Sequence, residues 1–162
     1  MKKLFLLLNI LGLSVLGCTQ NQDFNKMVDD LISKDVPLFL PKTDSFPSDA
    51  ILLDARQKQE YDTSHLEGAR FVSFKEFDLN SLKDVSKDQE IIVYCTVGYR
   101  SGKIGEKLQK AGYTNVKNMY GGIFEWVNTG NTVVDKKGKT TDKVHCYNKK
   151  WSQWLVVGEK VY

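Results

Sequence analysis

The 162-residue sequence is poor in helix breakers and turn formers, with three Pro and twelve Gly, and it contains no low-complexity stretch and no internal repeat. Collagen-like, fibrous and wholly disordered chains are thereby excluded, and 41% hydrophobic with 27% charged residues describes one ordinary globular domain. Cysteine is scarce and scattered. Cys18, Cys95 and Cys146 share no CxxC spacing, so neither a disulfide framework nor a zinc knuckle follows from them. Charge of one sign is scarce as well: 23 Lys+Arg stand against 20 Asp+Glu, and without Lys2 and Lys3, which lie in a leader expected to be removed, the balance is 21 against 20. So weak an excess gives no broad electrostatic footprint for nucleic acid or an anionic membrane surface.

No apolar run reaches the length of about 20 residues that crosses a bilayer. The nearest approach follows Lys2 and Lys3, from Leu4 to Leu16, broken only by Asn9, Gly12 and Ser14. It reads as a secretory signal over residues 1–17. Gly17-Cys18 at its end resembles a bacterial lipobox, after which the leader is cut and the cysteine is acylated. The expectation is an exported lipoprotein of the cell envelope, anchored through Cys18 and touching the membrane through its acyl chains only. The alternative is a secreted protein in which Cys18 is a free thiol.

Residues 18–22 are polar and read as a tether. Phe24, Met27, Val28, Leu31 and Ile32 recur at helical spacing, which predicts an amphipathic helix capped by Asp23 and ending near Ser33 and Lys34. Val36 to Leu40, bounded by Pro37 and Pro41, reads as an edge strand or loop. Ile51-Leu52-Leu53-Asp54 and Ile91-Ile92-Val93-Tyr94-Cys95 are continuous apolar runs ending in a reactive or charged residue, as buried parallel strands do. A helix is expected from Ser101 to about Lys110, with Ile104, Leu108 and Ala111 on one face and Gly112 closing it. Val116 to Met119 reads as a further strand, and Gly121-Gly122 as the turn into a brief helix carrying Ile123, Phe124 and Trp126. This order predicts an α/β fold with a mostly parallel central sheet covered by helices on both faces, and sites in such sheets lie at the carboxyl ends of the strands. Asp54 and Cys95 both belong there. The stretch 131–162 reads as a hairpin or extended arm, with a turn at Lys137-Gly138, packed back on the domain through Trp151 and Trp154 as structural staples.

The chemistry is concentrated after Cys95. With a cysteine at a strand end followed by a Gly-containing loop and a helix N-terminus, backbone N–H groups of residues 96–101 can curl round the sulfur, the helix dipole points its positive end at it, and Arg100 adds a charge. All three favour thiolate over thiol. Gly98 supplies the permissive backbone such tight curling needs.

The loop Cys95-Thr96-Val97-Gly98-Tyr99-Arg100 resembles the six-residue active-site loop of the rhodanese family of sulfurtransferases. Upstream, Asp54-Ala55-Arg56, Glu60-Tyr61 and His65-Leu66-Glu67-Gly68-Ala69 resemble that family's first signature. Downstream, Gly121-Gly122 followed by Trp126 resembles its closing segment. The resemblance spans roughly residues 36 to 130 and implies a single rhodanese-like domain over 23–130, a three-layer sandwich. It further implies ping-pong transfer of a sulfane sulfur through a persulfide on Cys95, with Thr96, Val97, Gly98, Tyr99, Arg100 and Ser101 binding the substrate. The implied donor is a small sulfur-containing anion such as thiosulfate and the acceptor is cyanide or a thiol. No metal or organic cofactor is implied. Asp54, Arg56, Glu60 and His65 are supporting residues, with Asp54 paired to Arg56 or to backbone amides and His65 serving its turn.

Other readings are weaker on their residues. Cysteine-dependent phosphatases and arsenate reductases of related fold hold five residues between Cys and Arg, against four here between Cys95 and Arg100. His145-Cys146 begins like a phosphatase signature, but Ser152 stands where arginine is required. A nucleotide-binding loop fails because Gly98 lies one residue too close to Gly102-Lys103 and Ile104 replaces the hydroxyl residue. Cys95, Cys146, His65 and His145 lack ligand-pair spacing for zinc. Cys146 reads as a buried small residue, or as a resolving partner for Cys95. A rhodanese-like module that binds a partner without catalysis is the remaining alternative from another class.

Overall fold

A computed structural model describes residues 22–162; the expected leader, most of the tether and Cys18 lie outside them. Residues 22–31 form helix α1, two residues short of the periodicity-based end, with Phe24 and Val28 buried. A second compact unit runs from Ile32 to Tyr162 and takes in the whole stretch 131–162.

Within that unit the elements follow as β1 (Leu38–Phe39), β2 (Ile51–Asp54), α2 (Lys58–Thr63), β3 (Arg70–Phe71), a 3₁₀ turn at Leu79–Leu82, β4 (Ile91–Tyr94), α3 (Tyr99–Lys110), β5 (Val116–Met119) and α4 (Gly122–Asn128). The strands form one sheet in the order β1-β5-β4-β2-β3, every pair parallel. This is the α/β class read from the alternation of apolar runs and helical stretches. β4 is central, which explains why Ile91-Ile92-Val93-Tyr94 is apolar without period two: both faces are covered. β1 is an edge strand, as the flanking prolines dictate. β3 and the 3₁₀ turn carry no periodic signal and were not legible.

The register sets the site. Asp54 lies opposite Tyr94, and the Ala55 N–H donates to the Tyr94 carbonyl at 2.9 Å, so β2 and β4 end side by side. Beneath this edge Leu53, Ile91, Val93, Ile104, Leu108 and Val116 form the core.

The C-terminal stretch is more elaborate than an arm. β6 (Val133–Val134) and β7 (Thr140–Thr141) make an antiparallel hairpin, its turn held by Asp135 Oδ1 accepting from the Lys137 and Lys139 amides. β8 (Lys143–His145) and β9 (Glu159–Val161) then pair in parallel, with the short helix α5 (Lys149–Ser152) in the connection. β8 lies against α2, and Val134 pairs backbone to backbone with His65. This segment therefore abuts the edge where Asp54 and Cys95 emerge. Among the described residues no helix is long and apolar enough to cross a membrane.

Candidate active site

Cys95 follows β4 directly, is 1% exposed, and is among the residues lining a cavity of about 760 Å³. The Gly98 amide donates to its Sγ at 3.2 Å. Gly98 caps α3 with φ +110°, and a Cβ there would stand 2.9 Å from Ile32 Cγ2, so both conformation and space demand glycine. Burial pushes the Cys95 thiol up, but the Arg100 charge, the Ser101 hydroxyl and the Ser101 and Gly98 amides outweigh it, and the net direction is down.

Arg100 does not offer a bare charge. Its Nη1 donates to Glu60 Oε2 and its Nη2 to Glu60 Oε1, both at 2.8 Å, and Nη2 also donates to Thr96 Oγ1 at 2.7 Å. The Thr96 hydroxyl in turn donates to Glu60 Oε1 at 3.0 Å. Glu60 is placed by the capping box of α2, where its carboxylate also accepts from the Gln57 amide at 2.9 Å. Burial raises the Glu60 carboxyl, yet the Arg100 hydrogen bonds and charge, with Arg56 beyond, bring it to about 2. Thr96 and Arg100 thus build the loop as well as bordering the cavity.

Asp54 and Arg56 are both fully buried and form a closed pair: Nε donates to both carboxylate oxygens at 3.0 and 3.1 Å and Nη2 to Oδ2 at 2.7 Å. Oδ1 also accepts from the Arg56 amide, and Nη2 reaches the Ser64 carbonyl at 2.6 Å, clamping β2 to the end of α2. Burial works against the guanidinium, but Asp54 keeps it charged well above the usual range. His65 stacks on Tyr61 with ring centroids 3.9 Å apart, and its Nδ1 lies 2.9 Å from the Tyr61 carbonyl. It sits at the turn and away from the sulfur's hydrogen bonds.

Ser101, expected among the substrate-binding residues, is fully buried and faces the sulfur and Asn118, to whose Oδ1 its hydroxyl donates at 2.7 Å. Asn118 completes the loop by donating from Nδ2 to the Gly98 carbonyl at 2.9 Å. Sequence reasoning missed Asn118; its signal was a carboxamide placed between apolar positions Val116 and Met119 of strand β5, where it is fully buried. The Gly121-Gly122 turn is also structural to the loop. Ile123 and Phe124 amides donate to the carbonyls of Cys95 and Thr96 at 2.9 and 3.3 Å, and a Cβ on Gly122 would stand 2.3 Å from the Cys95 oxygen.

The cavity is walled by Val97 and Tyr99 of the loop, by Phe71 and Phe74, and by Tyr147 and Trp151 from the C-terminal segment. Tyr99 is 48% exposed at the rim. The reading of Trp151 as a staple remote from the cysteine is thereby corrected: 56 positions in sequence collapse because β8 lies against α2. Among the described residues no group of three or more His, Cys, Asp or Glu side chains could hold a metal ion.

This strand-loop-helix cradle on a parallel sheet defines a class, and comparison with known proteins agrees. The model of the rhodanese-like domain family matches residues 42–129, and the chain belongs to that family. It is 34% identical over 97 residues to a protein of Acholeplasma laidlawii named tRNA uridine(34) hydroxylase, covering 57% of this chain and 29% of that one. A protein of the same name from Bacillus thuringiensis is 35% identical over 83 residues, 48% of this chain and 26% of that one. The chain thus spans less than a third of the curated relatives it matches. Among solved structures, a Bacillus halodurans protein is similar at TM-score 0.50 and 27% identity, over 56% of this chain and 67% of that one. The thiosulfate sulfurtransferase of Pseudomonas aeruginosa shares the fold at TM-score 0.56 and 21% identity, over 74% of this chain and 24% of that one.

Proposed function

We propose that the protein is a sulfurtransferase that carries a sulfane sulfur as a persulfide on Cys95. The observation that carries this reading is the Gly98 amide on Sγ at the N-terminus of a twelve-residue helix, with Cys95 lining an open cavity. The thiolate attacks the outer sulfur of a donor such as thiosulfate. A bond from Sγ to that sulfur forms as the donor's S–S bond breaks, and sulfite departs with the electron pair. A thiol or cyanide then attacks the outer sulfur and releases the thiolate. Negative charge stays close to the cradle throughout, where the amides, the helix dipole and Arg100 stabilise it without reorganising.

Asp54, Arg56, Glu60, Thr96 and Asn118 are positioning residues in this reading, and His65 holds its turn. The state of Arg100 also speaks against phosphate as substrate: both its terminal nitrogens are engaged by Glu60 and Thr96, which leaves no fork for bidentate binding of an oxyanion. The segment shared with the hydroxylase relatives is under a third of their length, too little to bring their activity to this chain. Export and anchoring through acylated Cys18 complete the proposal on the strength of the apolar run and Gly17-Cys18; a Cys18→Ser chain that stays in the membrane fraction and still incorporates fatty-acid label overturns it.

The test is an intact mass after incubation with thiosulfate. Wild type should gain one sulfur atom, Cys146→Ser should gain it too, and Cys95→Ser should not. Wild type that gains nothing from any donor leaves a partner-binding module as the better reading, and turnover of an aryl phosphate points to the phosphatase chemistry instead.

A further inference from the structure

The cavity over Cys95 is much larger than a small inorganic anion fills. Its volume of about 760 Å³ lies within the range of about 300–1,000 Å³ that encloses drug-sized organic ligands. Beside the charged residues Lys58, Lys75, Glu76 and Arg100, its wall carries more aromatic surface than a small inorganic anion uses: Phe71 from β3, Phe74 just beyond it, Tyr99 from the first turn of α3, and Tyr147 and Trp151 from the C-terminal segment. The last two lie outside the stretch that matches the family, residues 42–129.

The wall is held in place at some conformational cost. Among the described residues, the non-glycine positions with positive φ are Ser73 at +55° and Tyr147 at +63°, and both border this cavity. A left-handed backbone is disfavoured for tyrosine in particular, and such strain collects where a side chain must be aimed. Tyr147 is aimed at the site: the guanidinium carbon of Arg100 lies 5.5 Å from its ring centroid. The turn is secured by the Tyr147 amide donating to His145 Nδ1 at 3.0 Å, and Asn148 caps α5 and so orients Trp151.

We propose that the donor is an organic sulfane-sulfur anion, a hydrocarbon body bearing a terminal thiosulfonate or persulfide sulfur, whose body lies on Tyr147 and Trp151. The proposal rests on persulfide formation at Cys95 and adds the substrate class. For a thiosulfonate R–SO₂–S⁻ the step balances by itself: the Cys95 thiolate attacks the terminal sulfur, the new S–S bond forms as the donor's S–S bond breaks, and the electron pair leaves with the sulfinate R–SO₂⁻. A persulfide R–S–S⁻ releases R–S⁻ in the same way. Neither needs an outside oxidant, reductant or proton.

The experiment compares two donors with the same reacting group, the benzenethiosulfonate and methanethiosulfonate anions, by the rate of sulfur gain on Cys95 in the intact protein. Partial burial of the ring should favour the aryl donor roughly tenfold in kcat/KM. Trp151→Ala should bring that ratio close to one, and Trp151→Phe should restore most of it. Tyr147→Asn, which keeps a residue tolerant of the left-handed backbone while removing the ring, should also lower the ratio. Because the readout is a ratio of two donors on one variant, a general loss of folded protein does not move it. Equal rates for the two donors on wild type, or a ratio unchanged by both Trp151→Ala and Tyr147→Asn, overturn the substrate class while leaving sulfur transfer standing. Failure of every donor, thiosulfate included, to mark Cys95 instead removes the transfer reading beneath it.

Discussion

The guanidinium of Arg100 and the carboxylate of Glu60, forty positions apart, meet in a fork-to-fork pair with both hydrogen bonds at 2.8 Å. The positive charge acting on the Cys95 sulfur is therefore half of an ion pair whose carboxylate is buried and whose guanidinium is partly exposed. Its effect on the thiol is tempered by a carboxylate that also holds the loop to α2.

Glu60→Gln should separate these two roles. Removing the carboxylate charge leaves the Arg100 charge uncompensated, so the Cys95 thiol should titrate lower than in wild type while the fold loses about 3 kcal/mol, as when one partner of a buried pair is removed. The pH profile of alkylation at Cys95 checks the first and urea unfolding the second. A thiol that titrates higher in the variant contradicts the coupling.

The same pair predicts how stability responds to acid. The Glu60 carboxyl is brought down in the folded protein to about 2 from 4.5, so its contribution is fully present above pH 4.5 and fades as pH falls toward 2. The loss is on the order of 3 kcal/mol. Denaturant midpoints measured across that window should fall in wild type and fall less in Glu60→Gln.

Sulfur transfer itself should rise with pH and level off below the range where an ordinary cysteine ionises, because the Cys95 thiol is held down by Arg100, Ser101 and Gly98 against its burial. Arg100→Met should move the rising limb to higher pH. Single-turnover persulfidation rates at a series of pH values report the limb directly, and an unshifted limb in Arg100→Met would remove Arg100 from the account.

Asp54→Asn should be among the most damaging single changes, at about 3–5 kcal/mol, since it strands the fully buried Arg56 guanidinium. Asp54→Asn combined with Arg56→Leu should recover part of that loss. Chemical denaturation of the single and double variants decides; a harmless single variant means the pair contributes little.

Gly122→Ala tests the floor of the loop. With φ at +55° and the Cys95 carbonyl 2.3 Å from where the new Cβ would stand, either the start of α4 or the Cys95-Thr96 backbone must shift. Persulfidation should drop by more than tenfold, and the melting temperature should fall in step with a loss of roughly 1–2 kcal/mol from the left-handed backbone alone. Full activity would show that the carbonyl's position is unimportant.

The composition and order of the chain were enough to specify the strands β2, β4 and β5, their parallel sense and the edge at which Asp54 and Cys95 emerge, while β3 was not legible. Continuous apolar runs such as Ile91–Tyr94 arise only where both faces of a strand are covered, and a helix following each run forces a parallel return. The cradle around Cys95 was legible for the same reason: strand end, Gly98 and helix start are neighbours in sequence, so their geometry is local. The partner of Arg100, the role of Asn118 and the aromatic wall of Tyr147 and Trp151 were decided by tertiary structure. Glu60, β5 and the C-terminal segment reach the Cys95 loop and its cavity across 23 to 56 residues of chain, and side chains brought together by strand order and by β8 packing on α2 leave no periodic mark in the sequence.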